Sequence, residues 1–238
     1  MDTFEHVDDY RTLNANGVCL AYRVWGKPDA PAMVLLHGIG GGGPGDWDTV
    51  AASLSDRWRV YALDQRGHGR SDWSGGYSME SLVADVRGFF ATLGLTQAVV
   101  IGHSLGGVVA YLLAARHPQR VTALVVEDVG LLYPRPKVTP QRPEGELPFD
   151  WAAVLALRSQ IDEPDPRWRD EARAVTVPTL LVSGGPTSHI CQETIAELAQ
   201  ALPQGELTTI DAGHMVHEQR RAEFVTAARS FLDRAPHL

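Results

Sequence analysis

Ala98-Val99-Val100-Ile101-Gly102-His103-Ser104-Leu105-Gly106-Gly107-Val108-Val109-Ala110 is the stretch on which the reading of this chain turns. Ala98 to Ile101 is a short apolar run of the kind that fills a strand buried on both faces, and Leu105 to Arg116 continues as a helical pattern. The space between them admits only a very tight turn. A serine there is forced into a strained backbone conformation, and glycines are needed on both sides because side chains would collide. The turn holds the Ser104 hydroxyl away from the sheet and aims the backbone N–H of Leu105 at the same place. A buried strand has no packing reason to end in Gly-His-Ser-Leu-Gly-Gly, so Ser104 reads as a nucleophile.

Outward from this turn, short apolar runs alternate with helical patterns, which predicts a mostly parallel sheet covered on both faces. Tyr10 to Leu13 and Val18 to Trp25 flank Asn16-Gly17, a hairpin signal, so the chain should open with an antiparallel pair. Further strands are expected at Ala32 to Leu36, Arg59 to Leu63, Ala98 to Ile101, Ala123 to Val126, Thr179 to Val182 and Glu206 to Ile210. Helices are expected at Trp47 to Leu54, Met79 to Leu93, Leu105 to Arg116, Glu193 to Leu202 and Ala222 to Leu232, with Ser78 as an N-cap and Pro118 after the third.

One region breaks the alternation. Leu131 to Asp170 holds Pro134, Pro136, Pro140, Pro143, Pro148, Pro164 and Pro166, a density that forbids a continuous strand or helix. Within it Asp150 can cap an amphipathic helix, Trp151 to Ile161, with Trp151, Val154, Leu155 and Ile161 on one face. We therefore expect one domain, 1–238, carrying a small cap insertion at 131–170.

Composition bounds the function. With 238 residues, 44% hydrophobic and 21% charged, the chain has the make-up of a globular protein with a large core. A formal charge of −8 provides no clustered cations for phosphate, so nucleic acid is not an expected partner. The acidic N-terminus, with Asp2, Glu5, Asp8 and Asp9, does not read as a secretion signal, and no apolar run is long enough for a membrane span. Cys19 and Cys191 read as free thiols, each a small buried apolar residue, in a reducing cytoplasm. The expected partner is a small-molecule substrate; the oligomeric state is left open.

With Ser104 in this setting, the sequence resembles the α/β-hydrolase family over nearly its whole length. Three further landmarks follow the family's order: His37-Gly38-Ile39-Gly40 after Met33 to Leu36, Asp64-Gln65-Arg66-Gly67-His68-Gly69-Arg70-Ser71-Asp72 after Arg59 to Leu63, and Gly213-His214 near the C-terminus. The resemblance implies an α/β-hydrolase fold, with oxyanion donors at the backbone N–H groups of Ile39 and Leu105 and with Gly38 and Gly40 letting the loop approach closely. It makes His214 the base, and it calls for neither cofactor nor metal. Asp64 to Asp72 reads as a turn held by its own hydrogen bonds, and His37 as a support for the oxyanion loop. His217, one turn beyond the base, reads as a surface or packing residue, and His103 as part of the pocket wall.

The acid departs from the common pattern. Most members carry it in the loop after the strand matching Thr179 to Val182, but Ser183 to Ile190 contains no carboxylate and has Thr187 at that place. Some members carry it one strand earlier, where this chain has Glu127-Asp128. Asp128 is the choice, because two charges at the end of a buried strand are costly without partners, with Glu127 or a triad lacking a direct acid as the alternatives. The expected activity is hydrolysis of a small or medium, partly apolar ester or lactone through an acyl-enzyme, with Phe149, Trp151, Val154, Leu155 and His189 lining the pocket. Carbon–carbon bond hydrolysis, a cofactor-free lyase step, perhydrolysis and ligand sensing without turnover are the alternatives.

Overall fold

A computed structural model describes residues 10–43 and 45–235. The acidic segment 1–9, on which the leader reading falls, and Pro44 at the end of the glycine run lie outside the described residues. The strands are β1 (Arg11–Ala15), β2 (Val18–Trp25), β3 (Ala32–Leu36), β4 (Arg59–Leu63), β5 (Ala98–His103), β6 (Val121–Glu127), β7 (Thr179–Ser183) and β8 (Gly205–Thr209). They form one sheet in the order β1-β2-β4-β3-β5-β6-β7-β8. The pairs β1·β2 and β2·β4 are antiparallel and the others parallel, as expected of a hairpin feeding a crossover sheet.

Because successive side chains in a strand point to opposite faces, each central strand supplies two cores. Val34, Leu36, Val100, Leu124, Val126 and Leu181 enter one, together with α2 (Met79–Thr92), α3 (Leu105–Arg116) and α6 (Gln192–Ala201). Met33, Leu35, Val99, Ile101, Val125 and Val182 enter the other, against α1 (Asp48–Leu54) and α8 (Arg221–Arg234). Helix α3 is buried at every position from Leu105 to Ala114, so it has no polar face. Each of its Leu and Val side chains contributes roughly 1.5–3 kcal/mol by leaving water, which anchors the turn before it.

After β6 the chain is irregular until α4 (Trp151–Asp162) and α5 (Arg167–Arg173), with α7 (Val216–Gln219) preceding α8. Asp150 caps α4 by accepting from the Ala152 N–H at 2.9 Å. The proline-rich stretch is tied down at Pro148, whose carbonyl accepts from Gly69 N–H at 2.7 Å, and at Asp150, whose carboxylate accepts from Tyr77 Oη at 2.6 Å. Cys19 and Cys191 are free, but neither is a buried core residue: Cys19 is half-buried and Cys191 is exposed just before α6. A thiol tolerates water well enough that burial does not follow from its identity. No helix of the described residues is long and apolar enough to cross a membrane.

Candidate active site

The parallel strands β3, β5, β6 and β7 all end at one edge of the sheet, and the site is assembled there. Ser104 sits at φ 51°, ψ −115°, a conformation that L-residues adopt only under constraint. The constraint is visible in the glycines. A Cβ on Gly102 would strike the Gly106 carbonyl, and one on Gly106 would strike the Leu36 carbonyl. Ser104 N–H donates to the Glu127 carbonyl at 2.9 Å, which pins the turn to β6.

Two backbone donors remain unspent near the hydroxyl. Leu105 is the first residue of α3 and has no intrahelical acceptor, and Ile39 N–H has no backbone acceptor among the described residues. The Ile39 loop is positioned by His37. Its Nε2 accepts the Gln65 N–H at 2.9 Å, so Nδ1 carries the hydrogen and donates to the Gly38 carbonyl at 2.7 Å. Asp64 accepts from Gly43 N–H at 2.9 Å and Arg70 N–H at 3.0 Å, and Arg66 grips Asp85 through two bonds of 2.5 and 2.6 Å. The Asp64 to Asp72 turn therefore braces the glycine loop.

Across the edge, His214 Nδ1 lies 2.7 Å from Asp128 Oδ2. Asp128 is fully buried at φ 46°. Burial alone would raise its pKa, yet bonds from His214, Ser188 and Gly184 N–H hold it below the usual carboxylate range. An ionised carboxylate only accepts, so Nδ1 of His214 carries the hydrogen and Nε2 is left as an acceptor. The loop that lacks a carboxylate thus supplies Asp128 with donors, Gly184 N–H at 2.8 Å and the Ser188 hydroxyl, and Gln192 at the start of α6 adds another at 3.4 Å. Thr187 instead bonds Asp211 at 2.8 Å. Sequence reasoning missed Ser188 and Gln192, although a polar loop facing a buried carboxylate is the signal for them.

A second carboxylate–histidine pair stands beside the first. Glu127 accepts from His217 Nδ1 at 2.8 Å and from its backbone N–H at 2.9 Å, while His217 Nε2 points to Asp46 Oδ1 at 3.3 Å. Asp46 in turn accepts from Gly42 N–H at 2.5 Å. Burial would lower the His217 pKa, but Glu127 and Asp46 outweigh it and push it up to about 10. Of the two readings its place in sequence suggested, His217 is the packing residue and not a surface one, and it carries an ion-pair role that the sequence did not show. It is a buried cation stacked on Trp47, with ring centroids 4.0 Å apart.

Ser104 and His214 open on one cavity of about 890 Å³, which Gly38, Ile39, Leu105, His103, Val154 and His189 also line. His103 Nε2 donates to the His214 carbonyl at 2.9 Å, and burial pushes its pKa down to about 4, so it supports the His214 loop as a neutral ring. His189 meets His214 edge-on at 4.4 Å. Three expected lining residues do not reach the cavity. On α4 the cavity face is Val154, Arg158 and Ile161, at helical spacing, whereas Trp151 and Leu155 lie further round and Leu155 is 40% exposed. Phe149 packs instead beside the His68 ring and against Gly40.

A family model described as the alpha/beta hydrolase fold matches residues 31–153, from β3 through the turn and into α4. The chain belongs to the alpha/beta hydrolase family. Among relatives of this hydrolase, an sn-1-specific diacylglycerol lipase, ABHD11, of Mus musculus is 29% identical over 87% of this chain and 82% of its own length. A putative carbamate hydrolase, RutD, of Caulobacter segnis is 37% identical over 53% of this chain and 48% of its own. Of solved structures, the enol-lactonase from Burkholderia xenovorans LB400 superposes with a TM-score of 0.79 at 25% identity, covering 94% of this chain and 100% of that one.

Proposed function

We propose that this hydrolase cleaves a small or medium, partly apolar ester or lactone through a Ser104–His214–Asp128 triad and an acyl-enzyme. The observation that carries the reading is the 2.7 Å contact of His214 Nδ1 with Asp128, which leaves Nε2 free beside the cavity that Ser104 lines. In this mechanism Nε2 takes the Ser104 proton as Oγ attacks the carbonyl carbon. The N–H groups of Leu105 and Ile39 hold the oxyanion, and each such donor is worth about a hundred- to a thousandfold in rate. Asp128 stabilises the imidazolium; the proton then passes to the leaving alcohol, and water activated by His214 releases the acid. Val108, Val129, Leu131 and Ile161 give the cavity an apolar wall suited to an acyl chain. Free thiols at Cys19 and Cys191 support a reducing, cytoplasmic setting. The test is 4-nitrophenol release from short acyl esters, together with mass spectrometry after a serine-reactive phosphonate. Turnover lost in Ser104→Ala and an adduct on Ser104 are expected; an active Ser104→Ala variant would overturn the reading.

A further inference from the structure

The cavity is lined unevenly in charge. Its acidic members, Asp46 and Glu218, belong to the α1 and α7 side, and its two guanidinium groups, Arg135 and Arg158, belong to the α4 side. In a chain of formal charge −8, two arginines on the wall of a largely apolar cavity need a reason.

Their geometry supplies one. Both aim Nε at a single oxygen, Oδ1 of Asp162, at 2.6 Å from Arg135 and 3.2 Å from Arg158. The Asp162 side chain is 3% exposed, so it anchors both from below, and the Arg135 N–H bonds the Asp162 carbonyl at 2.9 Å as well. Each guanidinium carries five N–H donors. Only the Nε–H of each is used, and among the described residues the terminal nitrogens of both have no protein acceptor. Two cations share one carboxylate on the cavity wall, and both side chains stay partly open to solvent, at 39% and 37% exposure. Planar guanidinium edges of this kind match a carboxylate through paired bonds. The two guanidinium groups are within electrostatic reach of His189. Burial and His214 lower the His189 pKa, and Arg158 and Arg135 add to that effect, while His189 itself touches His214.

We propose that Arg135 and Arg158 bind a carboxylate carried by the substrate, so that the preferred substrate is an ester or lactone whose acyl chain ends in a second, free carboxylate. The proposal rests on the hydrolytic reading above and narrows its substrate class. Val154, Leu131 and Ile161 would line the methylene spacer between the scissile carbonyl and the clamp.

The experiment compares two esters of equal chain length, 4-nitrophenyl hydrogen adipate and 4-nitrophenyl hexanoate, by their ratio of kcat/KM at low salt. The wild-type ratio should favour the half-ester by about tenfold or more and shrink as ionic strength rises. Arg158→Gln and Arg135→Gln should each lower that ratio about tenfold or more, and Arg158→Lys should restore part of it, because charge returns without the planar fork. Should a glutamine variant fail to fold, the lysine variant and the salt dependence carry the test. Hexanoate cleavage that depends on Ser104, with no preference for the half-ester or with a ratio unchanged in the arginine variants, overturns the clamp alone. Loss of neither ester's hydrolysis in Ser104→Ala overturns the catalytic reading and the clamp with it.

Discussion

Asp128 and Glu127 are neighbours at the end of one strand, each is fully buried, and each holds a histidine by Nδ1 at 2.7 to 2.8 Å. The pairs differ in what the other ring nitrogen meets. His214, with 20% of its side chain exposed, turns that nitrogen towards the cavity, whereas His217 is sealed at 0% and turns it to Asp46. Two carboxylate–histidine pairs of the same kind therefore end in different surroundings: one ring keeps a nitrogen on the side of the cavity, and the other is enclosed between two carboxylates. Identity does not decide this; access and the second neighbour do. Glu127 ends β6, and the positive φ at Asp128 just beyond it turns the two carboxylates to different surroundings.

The sharpest way to break this contrast is to damage each pair and read both activity and stability. Asp128→Asn should lower ester turnover by about 10⁴-fold, since the amide favours the wrong tautomer of His214, while leaving the urea midpoint nearly unchanged. Near-normal rates would return the acid role to Glu127. On the dry side, His217→Phe should cost about 3–5 kcal/mol in urea unfolding, because Glu127 and Asp46 lose their shared counter-charge. A cost under about 1 kcal/mol would mean water reaches Glu127.

The pairs should separate by pH as well. His217 is raised in the folded state from 6.5 to about 10, so its stabilisation is complete below about pH 6.5 and is lost as pH climbs toward 10. Wild-type unfolding free energy should therefore fall across that window. The slope should vanish in His217→Phe, and an unchanged slope there would assign the pH dependence elsewhere. The smallest effect is expected on the wet side. His189→Ala removes an edge contact to His214 but no hydrogen bond, so kcat/KM should change by less than about tenfold, below the range of a true acid–base group. A hundredfold loss would make His189 a partner in proton transfer.

The regularity of the sheet was legible in the chain. All eight expected strands match the structure to within about two residues at either end; the central ones, β3, β5, β6 and β7, are buried on both faces and so are largely apolar, bounded by polar turns. What escaped notice was short or polar. Helix α5, Arg167–Arg173, buries only Trp168 and Ala172, and α7 spans four residues. Neither leaves a periodic apolar stripe long enough to detect. On α4 the helix was legible but its orientation was not. Trp151 and Leu155 looked suited to a pocket, and rotation about the axis gave that place to Arg158 instead.

Residue order alone determined the strained turn at Ser104, since only glycines at 102 and 106 allow a strand and a helix to meet so closely. It also determined the two carboxylates at the end of β6, as a charge cost in need of partners. Tertiary structure decided which histidine met which carboxylate, that a loop without an acid would feed donors to Asp128, and that two arginines distant in sequence would share Asp162. The reason is physical. Steric limits act between adjacent residues and can be read from a string, but the neighbours that stabilise or seal a charge come from distant segments and exist only once the sheet has brought them together.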